Sequence, residues 1–122
     1  MIFVFGSNLA GRHRAGAALY ARKHHGAEYG VGVGIQGNSY AIPTKDEHLN
    51  TLPLATIKEY VTQFVNYASL HNTLSFMLTR INYNLTEYKD EEIVNLFPKK
   101  LPENIYVPPQ WSKYFPVSLV WE

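Results

Sequence analysis

The stretch Met1-Ile2-Phe3-Val4-Phe5-Gly6-Ser7-Asn8-Leu9-Ala10-Gly11-Arg12-His13-Arg14-Ala15-Gly16-Ala17-Ala18 decides how the chain is read. Ile2 to Phe5 are β-branched or aromatic without interruption, the pattern of a strand buried on both faces. Gly6-Ser7-Asn8 is expected to break it. From Gly11 to about His25, alanines are interleaved with basic residues, a composition that favours a helix able to approach a sheet closely. Gly26 stands where a helix C-cap is expected. Strand, glycine turn and helix together open an α/β domain.

That opening also carries chemistry. In open α/β sheets ligands settle beyond the carboxyl ends of the strands. A helix start offers unpaired N–H groups and a partial positive charge, which together attract anions. Ser7, Asn8, Gly11, Arg12, His13, Gly16 and Ala17 are therefore candidate ligand-binding residues, and Arg14 adds a further cation. Arg12, His13 and Arg14 suit charge-assisted bonds to phosphate. The spacing is neither Walker A nor GxGxxG. The alternative is a tight, basic strand-to-helix turn without a ligand.

Working outward, all eight glycines fall between Gly6 and Gly37, so the special backbone is concentrated early. Gly30-Val31-Gly32-Val33-Gly34-Ile35-Gln36-Gly37 predicts a loop with an extended edge. Amides there could face a phosphate unobstructed, which makes Gly32, Gly34, Gln36 and Gly37 candidates; a ligand-free flexible loop is the other reading. Ser39 to Ile42 then reads as a short strand stopping at Pro43 and delivering Thr44, Lys45 and Asp46 to the same rim. Lys45 and Asp46 fit phosphate and a ribose hydroxyl, or a proton-transfer pair. They fit equally a salt bridge that caps the next helix.

The remainder reads as scaffold. Leu54, Ile57, Val61, Phe64, Val65 and Ala68 predict an amphipathic helix over 52–70. Leu74 to Leu78 is a buried strand, and Asp90 to Phe97 a short helix with acids in its first turn. Asn104 to Val107 is a last core strand, and Val117 to Trp121 an edge strand or extended tail. The alternation implies one domain over residues 1–122: α/β, with a mostly parallel sheet flanked by helices.

Composition bounds the rest. The chain has 122 residues, no cysteine and a formal net charge of +1. No disulfide, thiolate metal site or cysteine nucleophile is available. The near-zero charge argues against nucleic acid as a partner, and no apolar run is long enough to span a bilayer. The apolar start lacks a basic leader, so a cytoplasmic location is expected. His24-His25 suits a helix end better than a metal site, and no metal or cofactor is expected. Asn84-Leu85-Thr86 matches a glycosylation sequon that carries no weight without a secretory signal. Trp111 and Trp121 read as packing residues.

In this order the segments resemble a macrodomain-like family of small bacterial and phage proteins. Its opening reads VFGSNLAGRHGAGAA, followed by YGxGxGLQGxSYAIPTKD and a strand ending TRIG. Here the matches are Val4 to His13, Ala15 to Ala18, Tyr29-Gly30, Gly32, Gly34, Gln36-Gly37, Ser39 to Asp46, and Leu78-Thr79-Arg80-Ile81. Tyr88 to Ile93 and Leu96-Phe97 match a later helix. The resemblance implies a three-layer macrodomain-like fold and a ligand of the ADP-ribose or NAD-derivative class. It places Asn8 to Ala17 against the distal ribose and phosphates, with Gly32 to Gly37 beside them. Thr79, Arg80 and Asn82 would lead into a second phosphate loop.

The chain departs from the family there. The family reads close to IGCGLAGY, whereas this sequence reads Ile81-Asn82-Tyr83-Asn84-Leu85-Thr86-Glu87-Tyr88. Tyr83 and Glu87 are expected to crowd or repel a pyrophosphate, and Arg14 replaces a glycine. The expected role is a binding module that sequesters a small nucleotide. The alternatives are an ADP-ribosyl or phosphoester hydrolase using Asp46 and His13, and an interaction domain with a vestigial pocket. A homo-oligomer is left open.

Overall fold

The computed structural model describes residues 1–83 and 85–121. Asn84, and with it the sequon, lies outside the described residues. Strand β1 (Ile2–Asn8) is the centre of a five-stranded sheet ordered β2-β3-β1-β4-β5, with β2 Gly34–Gln36, β3 Ser39–Lys45, β4 Phe76–Leu78 and β5 Ile105–Tyr106. β1 is parallel to β3 and β4, and β4 is parallel to β5. The edge strand β2 alone is antiparallel, to β3. This is the α/β, mostly parallel sheet that the alternation of elements predicts.

Side-chain alternation along β1 divides the core between two faces. Phe3 and Phe5 pack with Ala21 of helix α1 (Gly16–His24), Ala27 and Ala41. Val4 points to the other face, with Ile42, Phe64 of α2 (Leu54–Leu70), Ile93 of α3 (Asp90–Val94) and Trp111 of a 3-10 turn at Pro109–Tyr114. Helices thus cover both faces, an arrangement compatible with three layers. In α2 the fully buried positions are Ile57, Val61, Phe64 and Ala68, the stripe that spacings of three and four predict. Among the described residues no helix is long and apolar enough to cross a membrane.

Several boundaries differ from expectation for identifiable reasons. β1 does not break at Gly6 but continues to Asn8, because Gly6 to Asn8 pair with β3 as far as Lys45. A Cβ on Gly6 would lie 2.5 Å from the Ile81 carbonyl oxygen, so the glycine admits the chain leaving β4. Pro43 does not stop β3. Phe3 N donates to Asn38 O, so the odd residues of β3 aim their N–H groups away from β1. β2 pairs only with residues 39–41, so proline at 43 removes no ladder bond. Helix α1 starts at Gly16 rather than Gly11, because residues 11–14 are held in tight turns, Gly11 N on Asn8 O, His13 N on Gly11 O and Arg14 N on Arg12 O, and Ala15 is extended. Helix α3 ends at Val94, and Leu96 and Phe97 close a turn on Ile93 and Val94. The tail lies beside the end of β5, bridging Val107 to Val120.

Candidate functional site

β1 leads into α1 on one face, whereas its neighbours β3 and β4 lead into α2 and α3 on the other. Chain departures in opposite directions open a crevice over the carboxyl end of β1. A cleft of about 550 Å³ lies there, within the range of small-molecule sites. Strand ends supply Ser7, Asn8, Thr44, Lys45, Thr79 and Arg80. The start of α1 supplies Gly16, Ala17 and Ala18, with Arg12 and Arg14 before it. The first and third of the segments singled out in the sequence therefore meet at this cleft, whereas no residue of the second, Gly30 to Gly37, lines it.

Most of the expected polar side chains hold the loops rather than reach outward. Asn8 Oδ1 accepts from Arg12 N at 2.9 Å, while its Nδ2 donates to Arg12 O at 3.2 Å. Ser7 donates its hydroxyl to Gly32 O, and Thr44 donates to Ser7 O at 3.4 Å. Thr79 donates to Val4 O at 2.6 Å. These bonds clamp the strand ends together.

The glycine-rich loop is a buttress. Gly11 N donates to Asn8 O at 2.9 Å, and Gly30 N to Gly11 O at 2.8 Å. A Cβ on Gly11 would strike the backbone of Gly30 and Val31, and one on Gly32 the carbonyls of Asn8 and Leu9. Gly37 meets Gly26 in the same way. Gln36 accepts from Glu28 N at 2.7 Å and donates to Val31 O at 3.1 Å. Gly11, Gly32, Gly34, Gln36 and Gly37 thus stand outside the cleft lining. Their amides do not converge on a ligand; the close backbone approach they permit supports the 8–12 loop.

The backbone at the start of α1 does line the cleft, at Gly16, Ala17 and Ala18. Ala15, its N-cap, is extended (φ −155°) and gives no side-chain hydrogen bond; the first turn holds no acid. Leu19 N reaches Ala15 O, but among the described residues Gly16, Ala17 and Ala18 have no acceptor for their N–H groups. The helix start is therefore uncapped.

Neither candidate catalytic residue reaches this space. His13 is 0% exposed, packs edge-on against Phe5 at 5.3 Å, and among the described residues neither ring nitrogen has a hydrogen-bond partner. Burial, aided by the Arg22 charge and opposed by the Val31 backbone, lowers its pKa below the ordinary imidazole value, which favours the neutral ring. Asp46 is spent on a turn, Oδ1 accepting from His48 N at 2.8 Å and Asn50 N at 2.9 Å. Those bonds, led by that of Asn50, lower its pKa. The expected Lys45–Asp46 partnership is replaced by a turn cap.

Arg80 is held from behind. Its Nε and terminal nitrogen donate to Asp90 Oδ1 at 3.2 and 3.1 Å, and Asn82 Nδ2 donates to the same oxygen at 3.0 Å. Burial works to raise the Asp90 pKa, but Asn82, the adjacent Trp111 indole and Arg80 outweigh it and hold it low. Asn82 is buried and supports Arg80 instead of lining the cleft. Glu87 is turned onto Thr51 and away from the lining, so its carboxylate does not confront a phosphate there. Tyr83 does line the cleft, with Arg80 over its ring at 5.6 Å.

Sequence reasoning missed the apolar part of the lining: Leu49, Leu85, Pro108 and Trp121. Trp121, read as a packing residue, donates its indole N–H to Leu78 O at 2.7 Å and presents the ring to the cleft. No periodicity marks these positions; topology alone brings them together. Trp111, by contrast, is core, packed on Phe97 at 5.9 Å.

Compared with known proteins, the chain matches no protein-family model, no curated protein and no solved structure.

Proposed function

We propose that this chain is a macrodomain-like module that binds a phosphate-bearing nucleotide of the ADP-ribose or NAD-derivative class and sequesters it. One observation carries the reading. Gly16, Ala17 and Ala18, whose N–H groups have no acceptor among the described residues, line a cleft that also receives Arg12, Arg14, Lys45 and Arg80, and no carboxylate among the described residues. Amides at a helix start carry roughly half a positive charge and suit an anion. Arg12, Arg14 and Lys45 add positive charge in the same concavity, beside an Arg80 already paired with Asp90, and an entering anion relieves their mutual repulsion. The apolar lining beside them suits the rest of a nucleotide.

Binding is preferred to hydrolysis because His13 and Asp46 stand away from the cleft. Among the described residues lining the cleft there is no aspartate, glutamate or histidine to act as a general base.

Calorimetry with ADP-ribose, AMP and NAD tests the reading, on the wild type and on Ala15→Asp. The extended N-cap suits aspartate, which would cap the α1 amides and stabilise the protein by about 1 kcal/mol. The same carboxylate would occupy the anion site, so affinity should fall at least tenfold while the melting temperature rises. If none of the three compounds gives heat or a thermal shift at millimolar concentration, the proposal fails.

A further inference from the structure

Leu49 combines three properties that are individually ordinary. Its φ is 67°, the only positive value at a non-glycine among the described residues. Its side chain is 53% exposed. It lines the cleft. Left-handed backbone is disfavoured for any residue with a Cβ, and glycine would fill the position more cheaply.

The surrounding bonds over-determine that conformation. Asp46 N donates to Asn50 O at 2.8 Å, and Leu49 N donates to Asp46 O at 3.1 Å. The Asp46 carboxylate ties down the N–H groups of His48 and Asn50. Lys45 bridges to Thr51, and Tyr88 donates its hydroxyl to Leu52 O at 2.9 Å. The turn is therefore braced against the rest of the cleft. Backbone held out of its favoured region by its neighbours, at a site, points to use there.

We infer that Leu49 is a specificity-determining residue that packs on the planar ring of the nucleotide, and that the cleft thereby prefers nucleoside phosphates to bare sugar phosphates. This rests on the nucleotide-binding reading above. The cations and helix amides account for a phosphate, but a leucine side chain gains nothing from one. The ligand portion that rewards an exposed leucine is apolar and flat, and the apolar residues Ile81, Leu85 and Trp121 line the same cleft.

The test compares AMP with ribose 5-phosphate on the wild type, Leu49→Gly and Leu49→Asn. Both replacements tolerate positive φ, so the melting temperature should hold or rise. The wild type should bind AMP more tightly than ribose 5-phosphate. In Leu49→Gly, AMP affinity should fall about tenfold, as expected for losing a half-buried leucine contact, with ribose 5-phosphate unchanged. Unchanged AMP affinity overturns the inference, as does equal weakening of both ligands or no wild-type preference for AMP. A wild type that binds none of AMP, ribose 5-phosphate and ADP-ribose is a different result and removes the nucleotide reading itself.

Discussion

At the scale of single residues, His13 shows how chemistry suggested by a motif can be cancelled by burial. Its basic neighbours Arg12 and Arg14 remain exposed, but the ring between them turns inward against Phe5. Because its folded pKa is lowered, the unfolded chain takes up a proton first, near the ordinary value of 6.5. The associated stability is therefore complete above that pH and is lost as pH falls below it. The melting temperature should drop between pH 7 and 5.5, and His13→Leu should make that slope shallower. His25, also lowered by burial and by His24, leaves a residual slope. Parallel wild-type and variant curves would contradict this account.

At the scale of elements, the glycine-rich segment and helix α1 divide the work differently from the sequence expectation. The glycines permit loops to stack backbone on backbone, and the helix start supplies the amides. This division is open to measurement. Gly32→Ala places a Cβ against two carbonyls and should destabilise by about 2 kcal/mol or more, a loss visible in chemical denaturation. Gly30→Ala meets no atom within 4 Å and pays only for its φ of 94°, about 1 kcal/mol. If the two substitutions cost the same, the buttress role of Gly32 is wrong. The helix stripe of α2 and the strand β1 were legible because burial on one or both sides imposes a period on the sequence. The extents of β1 and β3 were not, because Gly6 and Pro43 are punctuation in isolation and harmless beside these particular neighbours.

At the scale of the whole molecule, strand order creates the cleft and also fixes its charge. Asp90 opens α3 yet orders Arg80, ten residues earlier, through two bonds to one oxygen. Its folded pKa is lowered, so its stabilising contribution is present above the unfolded value near 4 and fades as pH falls through the folded one. Asp90→Asn should cost about 2 kcal/mol at pH 7, and the gap from wild type should close as pH drops below about 4. If the cleft binds a nucleotide as proposed, affinity should fall with it at neutral pH, since Arg80 loses its brace. A pH-independent gap in the denaturation curves would point to packing loss instead.

What the amino-acid sequence determined by itself is local: an α/β opening, the placing of Ser7, Asn8, Arg12, Thr44 and Lys45 near strand ends, and a cationic start to α1. Those features depend on period, turn chemistry and neighbouring residues, all of which are written in order along the chain. Tertiary structure alone decided which groups face the cleft. It buried His13, consumed Asp46 in a turn, set the early glycines to packing, and carried Leu49, Tyr83 and Trp121 to one opening. The physical reason is that facing depends on contacts between segments distant in sequence, and on which backbone hydrogen bonds are already spent when those segments meet.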